Sequence, residues 1–157
     1  RIMSLKDGSK KMSKSELSDL SRINLTDDKD QIVNKIKKAK TDSSVIMGQE
    51  VLDESGKLSK EIINERPEAC NLLQIYSAIS EASITETLKN FEGKEFRVLK
   101  EVLAEIVIQK IFPIGHEVRK MLNEENYLTG VLEKGAQKAK GQAEENLKEI
   151  KNIIGFI

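Results

Sequence analysis

The sequence lacks several features that mark particular classes of protein. Its 157 residues include one cysteine, Cys70, which excludes an internal disulfide and a cysteine-cluster metal site and fits a reducing cytoplasm. We therefore predict no metal site and a cytoplasmic location. No apolar run is long enough to span a bilayer and no signal-peptide pattern is present, so we expect no membrane partner.

An excess of charge of one sign is also lacking, and aromatic residues are scarce. Lysine plus arginine and aspartate plus glutamate both total 26, so the formal net charge is +0. Any contact with phosphate groups must therefore come from a local patch. Aromatic residues make up 4% of the chain, and four fall where a core needs them: Tyr76, Phe91, Phe96 and Phe112. We expect these four to pack, not to stack on bases.

One short motif stands out against this background, the pentad Lys11-Met12-Ser13-Lys14-Ser15. Two lysines three residues apart, interleaved with two serines, can gather ammonium charge and hydroxyl donors around one polyphosphate. Met12 can offer an apolar side to a purine ring. The alternative is a solvated basic loop, because lysine and serine are common in this chain.

Further segments surround the pentad in a characteristic order. They are Arg1-Ile2-Met3-Ser4-Leu5, Lys10, Ser21-Arg22-Ile23-Asn24-Leu25-Thr26-Asp27-Asp28, Lys38-Ala39-Lys40-Thr41-Asp42-Ser43, Asn71-Leu72-Leu73-Gln74-Ile75-Tyr76-Ser77, Gly135-Ala136-Gln137-Lys138-Ala139 and Ile154-Gly155-Phe156. Together with the pentad they resemble class I aminoacyl-tRNA synthetases, and the tryptophanyl-tRNA synthetase family in particular. The resemblance covers nearly the whole chain. Each segment alone is a weak signal, whereas the ordered set is specific.

The resemblance implies an ATP site around the pentad. The implied ATP-binding residues are Ile2, Lys11, Met12, Ser13, Lys14 and Ser15. Lys11 and Lys14 are implied to be catalytic, because they would hold the ATP phosphates while charge grows on the leaving pyrophosphate. The two serines would support the phosphates, and Met12 and the backbone of Ile2 would lie beside the adenine. The implied cofactor is ATP, with Mg²⁺ carried by the nucleotide.

The implied function is that of a tryptophan–tRNA ligase, whose partners are ATP, tryptophan and tRNA(Trp). The chain opens on Arg1 rather than methionine, and nothing in it resembles the histidine-containing nucleotide motif or the amino-acid pocket of class I synthetases. We therefore expect a C-terminal fragment that is inactive alone. We expect the fragment to be a monomer and the parent enzyme a homodimer.

The fold prediction is a mainly α protein, in which a helical bundle of the anticodon-binding type follows a short remnant of a Rossmann-type α/β catalytic domain. Residues 1–25 are predicted to be the end of the catalytic domain with the pentad loop. Residues 26–157 are predicted to be the helical tRNA-binding domain, with an irregular linker at about 43–66. Ile2–Leu5 is expected to be a strand, mobile or non-natively paired without the rest of its sheet.

Helix boundaries follow from capping signals. Thr26 is expected to cap the first helix, which buries the face Ile32, Val33, Ile36 and Ala39. Pro67 suits the first position of a helix, and Ser83 with Glu86 matches a capping box. Pro113 is expected to end or kink a long helix.

The C-terminal region is predicted to hold two further helices. His116 is expected on the first of them, as a surface or partly buried histidine rather than a catalytic one. The second is predicted to begin near Glu125, to carry Gly135 on a closely packed stripe and to end at Gly155.

No tRNA-binding residue is assigned. The basic candidates are Lys35, Lys37, Lys38, Lys40, Lys134, Lys138 and Lys140. Two alternatives stay open. One is a fragment of a tyrosyl-tRNA synthetase, which shares the pentad but in bacteria usually appends a further RNA-binding domain. The other is a non-catalytic helical interaction module with a coincidental pentad.

Overall fold

A computed structural model describes residues 1–156, which are mainly helical, as the sequence predicts. The helices are α1 (Lys29–Lys37), α2 (Lys60–Glu65), α3 (Pro67–Ser80), α4 (Ile84–Phe91), α5 (Phe96–Asn123) and α6 (Glu125–Ile153). Two short 3-10 helices, Asp19–Ser21 and Gln49–Val51, precede and follow α1. The chain divides into two compact units, Arg1–His116 and Glu117–Ile157.

The core of Arg1–His116 is built from the apolar faces of four helices. Its least exposed large apolar side chains are Ile32 and Ile36 of α1, Leu72 and Leu73 of α3, Leu88 of α4, Leu99 and Leu103 of α5, and Ile46 from the segment after α1. Each such burial contributes about 1.5–3 kcal/mol. Phe91 and Phe96 are also buried, and the Tyr76 ring meets the Phe91 ring edge-on with centroids 4.9 Å apart. The prediction that these three aromatics pack in the core is confirmed.

The first helix begins two residues later than predicted. Its N-cap is Asp28, not Thr26, because the Asp28 carboxylate accepts from the Gln31 N–H while the Gln31 side chain accepts from the Asp28 N–H. This reciprocal pair satisfies two backbone donors at once. The predicted apolar face is buried except at Val33, which is 42% exposed.

Lys35 is buried on α1, although the sequence pattern places it among the solvent-facing lysines. Its side chain is 3% exposed, and its Nζ lies 2.7 Å from Asp27 Oδ2 and 2.6 Å from Asp19 Oδ2. Asp27 is itself only 4% exposed. Two carboxylates and close hydrogen bonds offset the cost of burying the ammonium group. The prediction of Lys35 as a candidate for tRNA contact is therefore wrong.

The strand predicted at Ile2–Leu5 is absent; residues 1–156 contain no strand. The segment has only an isolated antiparallel bridge between Met3 and Lys11. A strand needs a neighbour along its length, and here the chain returns beside it for only a few residues. The predicted remnant of a Rossmann-type α/β domain therefore forms no sheet in the described chain.

The same segment is nevertheless packed in the core. Ser4 and Leu5 are 1% and 3% exposed. The Leu5 N–H donates to the Ser21 carbonyl at 2.9 Å, and the Leu5 carbonyl accepts from the Lys40 N–H at 2.8 Å. The segment therefore packs against the helical unit instead of pairing within a sheet.

The stretch predicted as an irregular linker, 43–66, contains more regular structure than expected. It includes the Gln49–Val51 turn and α2, and its turn at 53–57 closes with an isolated bridge. Ile46 is buried, and its backbone bonds to the Lys94 carbonyl and the Gly93 N–H, both at 2.9 Å. Ile46 therefore anchors this stretch to the segment that follows α4.

Arg66, at the end of this stretch, forms hydrogen bonds to residues at its beginning. Its Nη2 and Nε donate to the two Asp42 carboxylate oxygens at 2.7 and 2.9 Å, and Nη2 also donates to the Val45 carbonyl at 3.0 Å. The hydrogen bonds from Arg66 lower the pKa of Asp42 from its usual value. Such a bidentate pair fixes both the distance and the plane of the two groups.

The later helix signals are confirmed in part. Pro67 opens α3, and Ser83 with Glu86 forms the capping box of α4. Pro113 is predicted to end or kink the helix. It does not end it, since α5 continues through Pro113 to Asn123 and includes His116. A proline in a helix removes one backbone donor, and the helix continues here without it.

The second unit, Glu117–Ile157, comprises the end of α5 and α6. Gly155 has φ 76°, and the Phe156 N–H donates to the Lys151 carbonyl at 2.8 Å, which confirms the predicted C-terminal cap. No residue between 117 and 156 is buried. Among residues 1–156, no atom beyond the backbone of its own helix lies within 4 Å of a Cβ built on Gly135, so the close packing predicted there is not found in the described chain.

We predict that Lys35→Met lowers the free energy of unfolding of the first unit by about 3 kcal/mol, because it leaves the buried Asp27 carboxylate without that positive charge. Urea unfolding followed by circular dichroism measures the change. Lys37→Met, on the exposed side of the same helix, should change stability by less than about 0.5 kcal/mol. Equal effects of the two substitutions would contradict a structural role for the buried pair.

Candidate functional site

The pentad forms an exposed turn within Arg1–His116. Lys11, Ser13, Lys14 and Ser15 are exposed, and Met12 is half-buried against the core. The two serine hydroxyl oxygens are hydrogen-bonded at 2.9 Å, and the Ser15 N–H donates to Ser13 Oγ at 3.3 Å. Among residues 1–156, neither pentad lysine forms an ion pair. Both ammonium groups therefore remain available to an anionic ligand.

The chain entering the pentad is fixed by a short antiparallel pairing. The Ser4 N–H donates to the Lys10 carbonyl at 2.8 Å, and the Met12 N–H donates to the Ile2 carbonyl at 3.2 Å. These two bonds flank Lys11 on both sides. The structure thus brings together Ile2 and Met12, two of the residues predicted to bind ATP.

Asn71 of α3 holds the other edge of this pairing. It is 3% exposed, its Oδ1 accepts from the Met3 N–H at 3.0 Å, and its Nδ2 donates to the Met3 and Ser4 carbonyls at 3.0 and 3.3 Å. A carboxamide offers both a donor and an acceptor, so it can bond to one residue as a neighbouring strand would.

The turn before the pentad contacts the beginning of α3. A Cβ on Gly8 would lie 2.4 Å from the Pro67 carbonyl carbon and 2.5 Å from the Glu68 nitrogen, both backbone atoms. Glycine is required here by this close approach. Glu68 also pairs with Lys40 at 2.7 Å, and this hydrogen bond lowers the pKa of Glu68.

Asp7 closes the same turn. Its carboxylate accepts from the Ser9 hydroxyl at 2.6 Å and the Ser9 N–H at 3.0 Å, and it pairs with Lys10 at 3.1 Å. These bonds, that of the Ser9 hydroxyl foremost, lower the pKa of Asp7 to about 2. The carboxylate is therefore ionised at neutral pH and engaged with Lys10, outside the pentad.

Arg22 fixes the chain that leaves the pentad. Its guanidinium donates to the Glu16 and Ser18 carbonyls at 3.0 and 3.4 Å and to Asn24 Oδ1 at 3.1 Å, and it pairs with Asp19 at 3.1 Å. The side chain is 17% exposed. The pentad is thus a solvent-exposed turn tied to the folded unit at both ends.

An apolar pocket of about 230 Å³ lies beside the pentad. Its lining is entirely aliphatic or thioether: Ile2, Leu5, Met12, Ile23, Leu25, Ile36, Ile75, Ile79, Leu103, Val107 and Ile111. Met12 of the pentad and its hydrogen-bond partner Ile2 are both among the lining residues. An apolar pocket that shares a residue with a lysine-containing turn suits a ligand with a flat ring and a charged tail.

The remaining candidate side chains do not form a catalytic group. Burial raises the pKa of the Cys70 thiol to about 11, and its Sγ donates to the Ile62 carbonyl at 3.5 Å, so it is the core residue that the sequence predicts. His116 is exposed, which confirms the surface prediction, and its ring lies 6.4 Å from that of Phe112. Within residues 1–156, no three potential metal-binding side chains converge, and no helix has the length and apolarity needed to cross a membrane.

Sequence reasoning missed three residues that position the pentad: Gly8, Arg22 and Asn71. Arg22 and Asn71 lie within segments that carry the family resemblance, but neither has a local signature that reveals its contacts. Gly8 follows an aspartate, which indicates a turn but not its contact with α3. Each role depends on a tertiary contact, so the periodicity of the sequence does not predict it.

Comparison with known proteins identifies the family. A family model described as "tRNA synthetases class I (W and Y)" matches residues 1–112. The chain belongs to this family. Two curated relatives are named tryptophan–tRNA ligase. That of Rickettsia conorii is 46% identical over all of this chain, which spans 44% of the relative, and that of Mesorhizobium japonicum is 45% identical over all of the chain and 41% of the relative.

A solved structure supports the same family. The tryptophanyl-tRNA synthetase from Mycoplasma pneumoniae superposes with a TM-score of 0.57 at 28% identity, over 77% of this chain and 35% of that one. The chain therefore spans less than half the length of the relatives it matches. The predicted family and its tryptophan-specific branch agree with these relatives.

We predict that Gly8→Ala destabilises the first unit by about 1–3 kcal/mol, because the new methyl group would meet backbone atoms that cannot move aside. Thermal unfolding followed by circular dichroism provides the measurement. Gly135→Ala, where the methyl group meets none of the residues 1–156 within 4 Å beyond its own helix backbone, should leave the unfolding of Arg1–His116 unchanged. Unchanged stability in Gly8→Ala would show that the turn and α3 are not in close contact.

Proposed function

We propose that this chain is part of a tryptophan–tRNA ligase, in which the pentad holds the phosphates of ATP during tryptophan activation. The observation that carries the proposal is the pair Lys11 and Lys14, both exposed and without an ion-pair partner in the described chain, on a turn fixed at both ends. The lysines Lys35 and Lys40, by contrast, are paired with the carboxylates of Asp27 and Glu68. The pentad lysines are left for a ligand from outside.

The chemistry follows from where charge develops. When the tryptophan carboxylate attacks the α-phosphorus, the bond to the bridging oxygen breaks and negative charge grows on the departing pyrophosphate. Two ammonium groups placed at that pyrophosphate stabilise the transition state more than the ground state, and so raise the rate. The hydroxyls of Ser13 and Ser15, which share one hydrogen bond, still have one O–H to donate to a phosphate oxygen.

The adenine is proposed to lie against Met12 and the backbone of Ile2. These two residues are joined by a backbone hydrogen bond, and both line the apolar pocket. Mg²⁺ enters with ATP as part of the substrate. The chain has no histidine-containing nucleotide motif and no recognisable tryptophan pocket, so we propose that it is inactive without the rest of the ligase.

The helical residues 26–157 are proposed to contribute the tRNA-binding domain, and residues 1–25 the end of the catalytic domain. Of the basic candidates, Lys37, Lys38, Lys134, Lys138 and Lys140 are exposed. Lys40 is engaged with Glu68. Phosphate contacts from exposed lysines give affinity, and specificity then requires contacts to unpaired bases. The proposed partner is tRNA(Trp), and the names of the relatives favour it over the tyrosine tRNA.

We predict that Lys14→Ala slows tryptophan-dependent ATP–pyrophosphate exchange by about 100-fold, because a transition-state charge contact is lost. The measurement uses a complete ligase, in which this chain replaces its counterpart in the Rickettsia conorii relative. Lys6→Ala, an exposed lysine outside the pentad, is the matched control and should stay near the parent rate. A Lys14→Ala ligase as fast as its parent would remove the pentad from the mechanism.

We predict that the chain itself binds the tRNA(Trp) transcript with an affinity that falls as salt rises. Lys37→Glu/Lys38→Glu should weaken binding and reduce the salt slope by about 2. Lys57→Glu/Lys60→Glu carries the same change in net charge away from α1 and should leave the slope intact. Equal losses in both double variants, or no binding at all, would favour a helical module without an RNA role.

A further inference from the structure

Within residues 1–156, the buried side chain of Asn71 bonds only to the backbone of the segment that pairs with the pentad. Its three hydrogen bonds all go to Met3 and Ser4, between 3.0 and 3.3 Å. Its neighbours on α3, such as Cys70 and Leu72, fill the core instead. Asn71 thus contributes a polar contact to a segment 68 residues away in sequence.

The contact is relayed to a pentad lysine through two further bonds. Met3 is bridged to Lys11, and the bonds from Ser4 to Lys10 and from Met12 to Ile2 lie on either side of that bridge. The Met3 backbone therefore links the Asn71 side chain of α3 to the backbone of Lys11.

We infer that Asn71 is a positioning residue for Lys11, so that helix α3 sets the place of one ATP-contacting ammonium group. The inference rests on the proposed function of the pentad. The geometry of Asn71 explains the residue type, because only a carboxamide of this length supplies the acceptor for Met3 N–H and the donor for Met3 C=O together. Misplacement of a catalytic group by about 1 Å lowers rates by about 100-fold.

The test uses the complete chimeric ligase described above. Asn71→Ala is expected to lower kcat for ATP–pyrophosphate exchange at least about 10-fold, with the KM for tryptophan unchanged. In the Lys11→Ala background the same substitution should cost less than about twofold, because there is no longer an ammonium group to place. Cys70→Ala, a truncation of the adjacent buried side chain, controls for general loss of stability and should leave kcat unchanged.

Hydrogen exchange on the chain provides a second measurement, independent of catalysis. Asn71→Ala should speed exchange of the Met3, Ser4 and Met12 amides, whereas Cys70→Ala should not do so selectively. Slow exchange of the α4 and α5 amides in the same measurement shows whether each variant is folded.

The outcomes separate the two proposals. A folded Asn71→Ala ligase with an unchanged kcat, a full additional loss in the Lys11→Ala background, or an equal loss in Cys70→Ala would each overturn the positioning role while leaving the pentad function intact. A Lys11→Ala ligase as active as its parent would instead overturn the proposed function, and the positioning role with it.

Discussion

The backbone of residues 3–5 packs into the helical unit, which has no strand in its described part, and the buried polar groups of this segment must still find hydrogen-bond partners there. Buried peptide groups left unpaired cost free energy comparable to a lost hydrogen bond. Met3 is satisfied by the Asn71 side chain, and Leu5 by the backbones of Ser21 and Lys40. Three separate parts of the unit are therefore held together by one short segment. This arrangement also positions the pentad, because the pentad begins at Lys11, where the chain pairs with residues 2–4.

The contrast between buried and exposed lysines then defines the site. Lys35 is buried with two carboxylates, Lys40 is paired with Glu68, and Lys100 donates to the Ala39 carbonyl at 2.7 Å near the C-terminal end of α1. Burial lowers the pKa of Lys100. These lysines stabilise the fold, whereas the pentad lysines have no such role. The formal net charge of the chain is +0, so a local positive charge arises only where lysines have no carboxylate partner nearby.

The sequence predicts the elements that depend on local signals. The capping box at Ser83, the opening of α3 at Pro67 and the C-terminal cap at Gly155 all follow from neighbouring residues, and all are confirmed. The pentad is found from its residue types and its flanks. The burial of Lys35 and the loss of the strand could not be predicted, because they depend on groups distant in sequence. The absence of buried residues between 117 and 156 is likewise a tertiary property, although the apolar stripe of α6 predicts packing.

The burial of Cys70 has a practical consequence for following the pentad in solution. The thiol is 2% exposed and its raised pKa keeps it protonated, so it reacts slowly with alkylating reagents while the chain is folded. It is also the only cysteine in the sequence. A cysteine introduced into an exposed position of the turn would therefore be the one fast-reacting thiol of the folded chain. A fluorophore or spin label could be attached there without first removing a native side chain from the core.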